Sequence, residues 1–342
     1  MRQKALILTG IISCIAVFQF CSKEKTAEPA ETALRPNLPT SPYNYSPAYP
    51  AYINAALATQ DNTPATNPIT NDGATLGRVL FYDKALSKNT TISCGSCHNQ
   101  GQGFSDNAIL SKGFEGGLTK RHSMPALNLR FYRSGRMFWD ERAATLEEQV
   151  LMPIQDATEM GMTLSELETK ISGLSYYPEL FQKAFGSTQV TSDRISKALA
   201  QFLRSIVTYQ SKYDRVRQGL ETYTPEEQLG EQLFLTAAPA CGGCHRPPMF
   251  ITSDPVAPFG LLDPTDAGIN NQNRFKSSSL RNIAVTTPLF HNGSVPSLEA
   301  MLSSNIPAHG VRPADRAPLL AFMRTLTDNS IATEPRFSDP FK

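Results

Sequence analysis

The pentapeptide Cys-x-x-Cys-His occurs twice in this chain of 342 residues, and it constrains the fold more than any other feature. The residues of the two copies are, in chain order, Cys94, Cys97, His98, Cys241, Cys244 and His245. The chain has six cysteines, and the other two lie within the first 21 residues. Every cysteine beyond residue 21 therefore belongs to one of the two motifs.

Cysteine pairs with this spacing occur in several kinds of site. Four cysteines in an exported protein can form two disulfides, Cys-x-x-Cys can be a redox site, and cysteine with histidine can bind structural zinc. None of these explains a histidine directly after the second cysteine in both copies. Covalent haem does explain it, because the thiols form thioethers with the porphyrin and the adjacent histidine ligates the iron. The sequence therefore predicts two c-type haems.

Residues 1–21 have the features of an export signal, with a positively charged start and an apolar stretch from Ala5 to Phe20. Cys14 and Cys21 suggest a lipoprotein signal, and we favour Cys21 as the lipidated residue because it ends the apolar stretch. Simple cleavage, or an uncleaved anchor, is the alternative. Either way, we expect the working part of the chain in the periplasm or cell envelope.

Residues 22–68 are rich in Pro, Ala and Thr, which predicts a tether or a strap laid over the surface. No later segment is apolar and long enough to cross a bilayer. Lys and Arg (32) nearly balance Asp and Glu (31), which argues against a nucleic-acid-binding protein.

The rest of the chain has helical periodicity. Capping-box patterns begin at Thr145, where a helix is predicted through Ile154, and at Thr163. The stretch from Ser192 places six apolar residues on one helical face, namely Ile195, Leu199, Phe202, Leu203, Ile206 and Val207. Both motifs follow a phrase of the form LG…LF, at Leu76–Phe81 and at Leu229–Phe234. The predicted fold class is mainly α, with two cytochrome c-like haem domains, residues 69–219 and 220–342, and long connecting loops.

Several longer phrases resemble the bacterial dihaem cytochrome c peroxidase family, including the relative that matures the quinone cofactor of methylamine dehydrogenase. They are "NPITNDGATLGRVLFYDKALSKNTTISCGSCH", "FWDERAATLEEQVLMPIQDATEMG", "LGEQLFLTAAPACGGCH" and "SSLRNIAVTTPLFHNGSVPSLE". The resemblance runs from Asn67 to Leu326 and is far more specific than the paired motifs alone.

The resemblance implies different functions for the two haems. The first corresponds to the peroxidatic site, and the second to the haem that receives electrons. Trp139 matches the family residue between the haems, Glu159 matches the distal carboxylate, and Gln155 matches a polar position near it. A carboxylate beside the iron can take a proton from one peroxide oxygen and return it to the other. Core packing of Trp139 and a surface charge at Glu159 are the structural alternatives.

The chain departs from the family pattern on the distal side of each haem. Phe114 stands where many members have a distal histidine, which implies an open first haem. Asn305 stands where members have a Met or Tyr ligand to the second haem. Met301, which we favour, and His309 are the available replacements. A thioether ligand raises the reduction potential, and a histidine lowers it.

The resemblance also implies a calcium ion between the domains. The carbonyls of Thr286 and Pro288 match two calcium ligands, but His122 replaces a ligand asparagine. Nitrogen is a poor substitute for the oxygen that calcium prefers, so calcium is an open prediction. His291 matches a family histidine near the second haem, with a structural or redox-tuning role.

The leading hypothesis is a periplasmic peroxidase that reduces hydrogen peroxide to water with electrons from a small cytochrome c or cupredoxin. A maturation-type enzyme that oxidises a protein or small molecule is the first alternative, and a non-catalytic dihaem electron carrier is the second. By analogy with the family, the chain is expected to form a homodimer. A lipid anchor would be its contact with the membrane.

Overall fold

The computed structural model describes residues 35–236, 241–251, 265–304, 306 and 309–342, and the regular structure in these ranges is helical. The predicted export signal and Asn305 lie outside them. The α-helices are α1 (Ala51–Gln60), α2 (Asn71–Tyr82), α3 (Cys94–Cys97), α4 (Leu146–Gln149), α5 (Met152–Gln155), α6 (Leu164–Ser172), α7 (Tyr177–Phe185), α8 (Ser192–Ser205), α9 (Lys212–Arg217), α10 (Pro225–Thr236), α11 (Cys241–Cys244), α12 (Leu298–Ser303) and α13 (Arg316–Arg324). Instead of extended strands, the described ranges contain isolated β-bridges. The predicted mainly α fold is confirmed.

The LG…LF phrases mark two equivalent helix crossings. A Cβ atom on Gly77 of α2 would lie 2.0 Å from the carbonyl oxygen of Ala198 in α8. A Cβ atom on Gly230 of α10 would lie 1.9 Å from the carbonyl oxygen of Pro318 in α13. Each glycine therefore lets two helix backbones come into contact directly before a Cys-x-x-Cys-His motif.

Buried apolar residues form two clusters that follow these crossings. The larger one runs mainly through residues 45–207 and the smaller through residues 213–326. Each has an aromatic pair at its crossing, with ring centroids 5.2 Å apart for Phe81 and Phe202 and 5.4 Å apart for Phe234 and Phe322. Phe337, near the C-terminus, packs into the larger cluster. The predicted boundary between residues 219 and 220 stays a prediction.

Local signals explain where most helices begin. The Thr163 hydroxyl accepts a hydrogen bond from the Glu166 backbone N–H while the Glu166 carboxylate accepts one from the Thr163 backbone N–H, which confirms this capping box. Thr145 also caps its helix. However, the sequence predicted one helix through Ile154, whereas the structure has two short helices, α4 and α5, separated by Val150 and Leu151.

The helix beginning at Ser192 is shorter than its apolar pattern predicted. It ends at Ser205, although the next two residues are also buried. The Asn128 backbone N–H donates to the Ile206 carbonyl over 2.9 Å, and the Thr208 backbone N–H donates to the Asn128 side-chain oxygen over 3.0 Å. These tertiary hydrogen bonds replace the next helical ones, so the chain leaves the helix but stays in the core.

The described part of the Pro-rich segment packs onto the helices. Its α1 helix lies in residues predicted as a tether or strap, and Tyr45 before it is fully buried. The Tyr52 hydroxyl donates to the Asp214 carboxylate in α9 over 2.7 Å. Within the ranges that the structure covers, none of the helices has the length and apolarity to cross a bilayer.

Candidate functional site

The two Cys-x-x-Cys-His motifs have the same local construction. In each, a four-residue helix carries both cysteines, α3 in the first and α11 in the second, and the histidine follows directly. His98 Nδ1 donates to the Phe104 carbonyl over 3.0 Å. His245 Nδ1 lies 3.4 Å from the Phe250 carbonyl and 3.1 Å from Ser277 Oγ. Because Nδ1 carries the proton, Nε2 is left as the ligand atom in both histidines.

An unusual backbone conformation presents these carbonyls. Phe104 has a φ of 56° and Phe250 a φ of 53°, in the left-handed region that bulky residues rarely adopt, and both rings are fully buried. Burial of each ring holds the strained turn in place. Neither phenylalanine was predicted from the sequence, although each follows its histidine by five or six positions.

The thiols do not have the properties of a redox or zinc site. All four cysteines of the motifs are free. Burial raises the pKa of Cys94 to about 12 and that of Cys97 to about 11, whereas a reactive Cys-x-x-Cys needs a lowered thiol pKa. Across the described ranges, no group of three His, Cys, Asp or Glu residues is arranged to hold a metal ion.

A cavity of about 210 Å³ with a mostly apolar wall lies against the second motif. Burial, with the nearby His309, lowers the pKa of His245 to about 4, which keeps this imidazole neutral as an iron ligand must be. Both predicted distal ligands, Met301 and His309, are in the same wall. The residues present therefore fit a haem group, and the choice between the two ligands stays a prediction.

Trp139 is also in the wall of this cavity, on a tightly closed loop. An antiparallel bridge joins Met137 and Ala143 at the base of the loop, and Phe138 and Glu141 have left-handed φ values of 71° and 56°. Trp139 is only 9 % exposed, and its indole N–H donates to the His122 carbonyl over 2.8 Å. The indole is thus fixed by packing and by a hydrogen bond.

Lys276, which no sequence pattern predicted, also holds this loop. Its backbone N–H donates to the Trp139 carbonyl over 2.7 Å, and its ammonium group donates to the Arg136 carbonyl. The ammonium nitrogen lies 3.4 Å from the centroid of the Tyr132 ring. Burial lowers the pKa of Lys276 to about 7. The next residue, Ser277, contacts His245. Residues 276–277 therefore link the second motif to Trp139.

Glu159 lies close to the first motif. Besides burial, its charge contributes to the raised pKa values of Cys94 and Cys97. Burial, reinforced by Asp156, raises the pKa of Glu159 itself, and Arg142 opposes the shift. This carboxyl group therefore holds a proton more tightly than an ordinary glutamate does.

Phe114 and Gln155 are the other two residues predicted on the distal side of the first haem. The Phe114 backbone N–H donates to the Glu159 carbonyl over 2.9 Å, so the position without the distal histidine is beside the predicted acid. Gly113 permits this approach, since a Cβ atom there would lie 1.6 Å from the Thr158 carbonyl oxygen. Gln155 is exposed, and its amide donates to the Leu151 carbonyl of its own turn over 3.1 Å.

The residues predicted for calcium are in the wall of the cavity beside the second motif, next to Trp139. Thr286, Pro288 and His122 are all buried there. His291 is also in this wall, and its ring stacks on Phe275 with centroids 3.5 Å apart. Stacking indicates that packing fixes the His291 ring.

Comparisons with known proteins agree with this architecture. The family described as "Di-haem cytochrome c peroxidase" matches residues 71–222. A cytochrome c551 peroxidase of Nitrosomonas europaea is 34 % identical, over 81 % of this chain and 85 % of its own. The methylamine utilization protein MauG of Methylorubrum extorquens is 32 % identical, over 77 % of this chain and 80 % of its own.

A solved structure has the same fold. It is a MauG-like protein associated with microbial copper homeostasis, 29 % identical, with a TM-score of 0.75 over 88 % of this chain and all of that one. Haem c cofactors and oxidoreductase activity are properties of the family shared by these relatives. The chain therefore belongs to the dihaem cytochrome c peroxidase family, in which MauG is also found, and is an oxidoreductase.

Proposed function

We propose that this protein is a c-type dihaem peroxidase that reduces hydrogen peroxide at the first motif with electrons received at the second. The observation that carries the proposal is a contrast between two motifs of the same construction. The first has the carboxyl group of Glu159 nearby, and burial raises the pKa of this group. The second is next to an apolar cavity with Trp139 in its wall. The relatives named cytochrome c551 peroxidase support peroxide as the substrate.

The two motifs hold the cofactors. The four cysteines would attach the two haem groups through thioether bonds, His98 would ligate the first iron, and His245 would ligate the second. When bound, haem supplies a redox-active iron that can exchange electrons and bind peroxide. Met301 is the proposed distal ligand of the second iron, with His309 as the alternative.

Glu159 and Trp139 have separate roles in this proposal. The Glu159 carboxylate takes a proton from one peroxide oxygen and returns it to the leaving oxygen, and Gln155 is the polar neighbour implied by the family. Trp139 relays electrons between the two sites. Its N–H group is hydrogen-bonded to a peptide carbonyl, which does not take up protons near neutral pH. Electron transfer through this indole therefore does not require a proton to move.

The proposal is tested by separating the two steps in the dihaem protein. Glu159→Gln is expected to lower peroxide turnover by about 100-fold or more, the usual contribution of general acid–base catalysis, and to leave electron transfer between the haems unchanged. Trp139→Phe is expected to slow that transfer in flash-reduction kinetics. Glu179→Gln, at an exposed surface ion pair, is the matched control. A Glu159→Gln protein that keeps turnover within a few-fold of wild type would contradict the assignment.

A second candidate function is oxidation of a protein or small molecule, as in the maturation branch. Phe114 at the position of the distal histidine favours it, as does the similarity to MauG. Stopped-flow spectra with peroxide and no electron donor distinguish the two functions. A persistent two-electron-oxidised protein would favour the maturation-type activity, and rapid bleaching would exclude it.

The wider setting is part of the proposal. Residues 1–21 direct export to the periplasm, Cys21 carries the lipid, and a small cytochrome c or cupredoxin is the donor. Residues 69–219 form the peroxidatic unit and residues 220–342 the electron-transfer unit, and the protein forms a homodimer. The two buried clusters support the division into units. Labelling with radioactive palmitate, in wild type and in Cys21→Ala and Cys14→Ala variants, tests the anchor.

A further inference from the structure

His122 contacts three other segments of the chain at one point. Its ring Nδ1 lies 3.1 Å from the Ala108 carbonyl oxygen and 3.2 Å from that of Ile109, and its Nε2 lies 3.3 Å from Ser105 Oγ. Its backbone N–H donates to the His291 carbonyl over 2.7 Å. Its own carbonyl accepts the indole N–H of Trp139. Ring and backbone together hold the loop after the first motif, the His291 segment and the relay residue.

This is the junction at which the family resemblance implies calcium, and the residues do not fit that ion. Calcium takes six to eight oxygen ligands at about 2.3–2.6 Å. Here the ring of His122 presents an N–H group to the Ala108 and Ile109 carbonyls, which calcium could otherwise use. The His122 carbonyl is occupied by Trp139. In the described ranges, no cluster of three acidic, cysteine or histidine side chains compensates for these lost oxygens.

We propose that the imidazole of His122 takes the place of the calcium ion and that Trp139 is positioned without a metal. The ring gathers backbone carbonyls as a cation would, through hydrogen bonds instead of coordination. His122 itself is only 3 % exposed, so the ring is held by its surroundings. Loss of the ring would remove the N–H donor that the Ala108 and Ile109 carbonyls share. His122 is therefore a positioning residue that acts through Trp139.

The first test uses the wild-type dihaem protein and does not depend on peroxide turnover. Elemental analysis after gel filtration in calcium-containing buffer is expected to show no stoichiometric calcium. EGTA is expected to leave the Tm unchanged, since an ion that binds the folded state would stabilise it. Stoichiometric calcium, or a Tm that falls with EGTA and recovers with added calcium, would overturn the proposal.

The second test follows the indole hydrogen bond. Trp139 is the single tryptophan of the chain, so the indole N–H marker band in ultraviolet resonance Raman spectra reports on it alone. The band is expected to be insensitive to EGTA in wild type and to shift towards weaker hydrogen bonding in His122→Ala. His291→Ala, at a buried histidine that touches the junction through its backbone, is the matched control and should keep the wild-type band. An unchanged band in His122→Ala would show that the ring does not position Trp139.

Discussion

The carboxyl group of Glu159 is in surroundings where burial disfavours its ionisation. Burial and the neighbouring Asp156 both favour the protonated form, and Arg142 favours the carboxylate. Arg142 belongs to the same loop as Trp139, where it also pairs with Asp140 over 2.9 Å. The proposed acid and the proposed relay are therefore coupled through one arginine, and a change in the loop should alter proton affinity at Glu159.

The raised pKa of Glu159 gives a pH dependence with a definite sign. If the carboxylate must accept the first proton, kcat/KM falls as the pH is lowered through the raised pKa, at a higher pH than for an ordinary glutamate with a pKa of about 4.3. Measuring kcat/KM for peroxide against pH in the wild-type protein locates this decrease, which is the acidic limb of the pH profile. Glu159→Gln should remove the limb along with most of the activity. A limb that persists in that variant must arise from another group.

The sequence predicted the ligands of each haem site but not the backbone that orients them. His98 could be identified from a five-residue pattern. The carbonyl that fixes its tautomer comes from Phe104, in a left-handed conformation that phenylalanine disfavours. Only the packing of the Phe104 ring selects that conformation. Lys276 was missed for the same reason, because its role depends on contacts across the fold.

Two glycines determine how closely the helices approach each other before each motif. At Gly77 and at Gly230 the nearest obstacle to a side chain is a backbone carbonyl, which cannot rotate away as a side chain would. The LG…LF phrases predicted equivalent units, and these crossings give the physical reason for the repeated glycine. By contrast, the end of α8 at Ser205 could not be predicted, because a tertiary contact with Asn128 overrides the local helical pattern.

Replacing either glycine should separate a helix pair. Gly77→Ala and Gly230→Ala are each expected to lower the free energy of unfolding by about 1–3 kcal/mol, as overpacking does in other cores. Denaturation monitored by far-ultraviolet circular dichroism measures the change. Gly173→Ala is the matched control, because that glycine is exposed with an ordinary φ of −75°. Equal stability of all three variants would show that the helices can move apart at little cost.

One buried ion pair links distant parts of the whole molecule. Asp214 in α9 and Arg281 are both fully buried, with a shortest distance of 2.8 Å between nitrogen and oxygen. The Tyr52 hydroxyl from α1 donates to the same carboxylate, and Arg281 also donates to the Pro248 carbonyl, three residues after His245. The N-terminal segment, the region between the motifs and the second haem site are therefore connected through these two charges.

Breaking this pair from one side should destabilise the whole fold. Asp214→Asn leaves Arg281 as a buried charge without its counter-ion, a change that typically costs about 3–5 kcal/mol in the free energy of unfolding. Glu179→Gln, which breaks the exposed pair with Lys183, should cause no measurable change. Urea denaturation at neutral pH compares the two variants with wild type.

The same pair predicts how stability depends on acid. Burial opposes ionisation of Asp214, but Arg281 and the hydrogen bonds from Ser211 and Tyr52 outweigh it and lower its pKa. A lowered folded-state pKa contributes stability that is fully present above the unfolded value of about 3.9 and is lost as the pH falls through the folded value. Wild type should therefore lose stability below about pH 4 more steeply than Asp214→Asn. Parallel acid titrations of the two proteins would instead place the acid-sensitive carboxylate elsewhere in the fold.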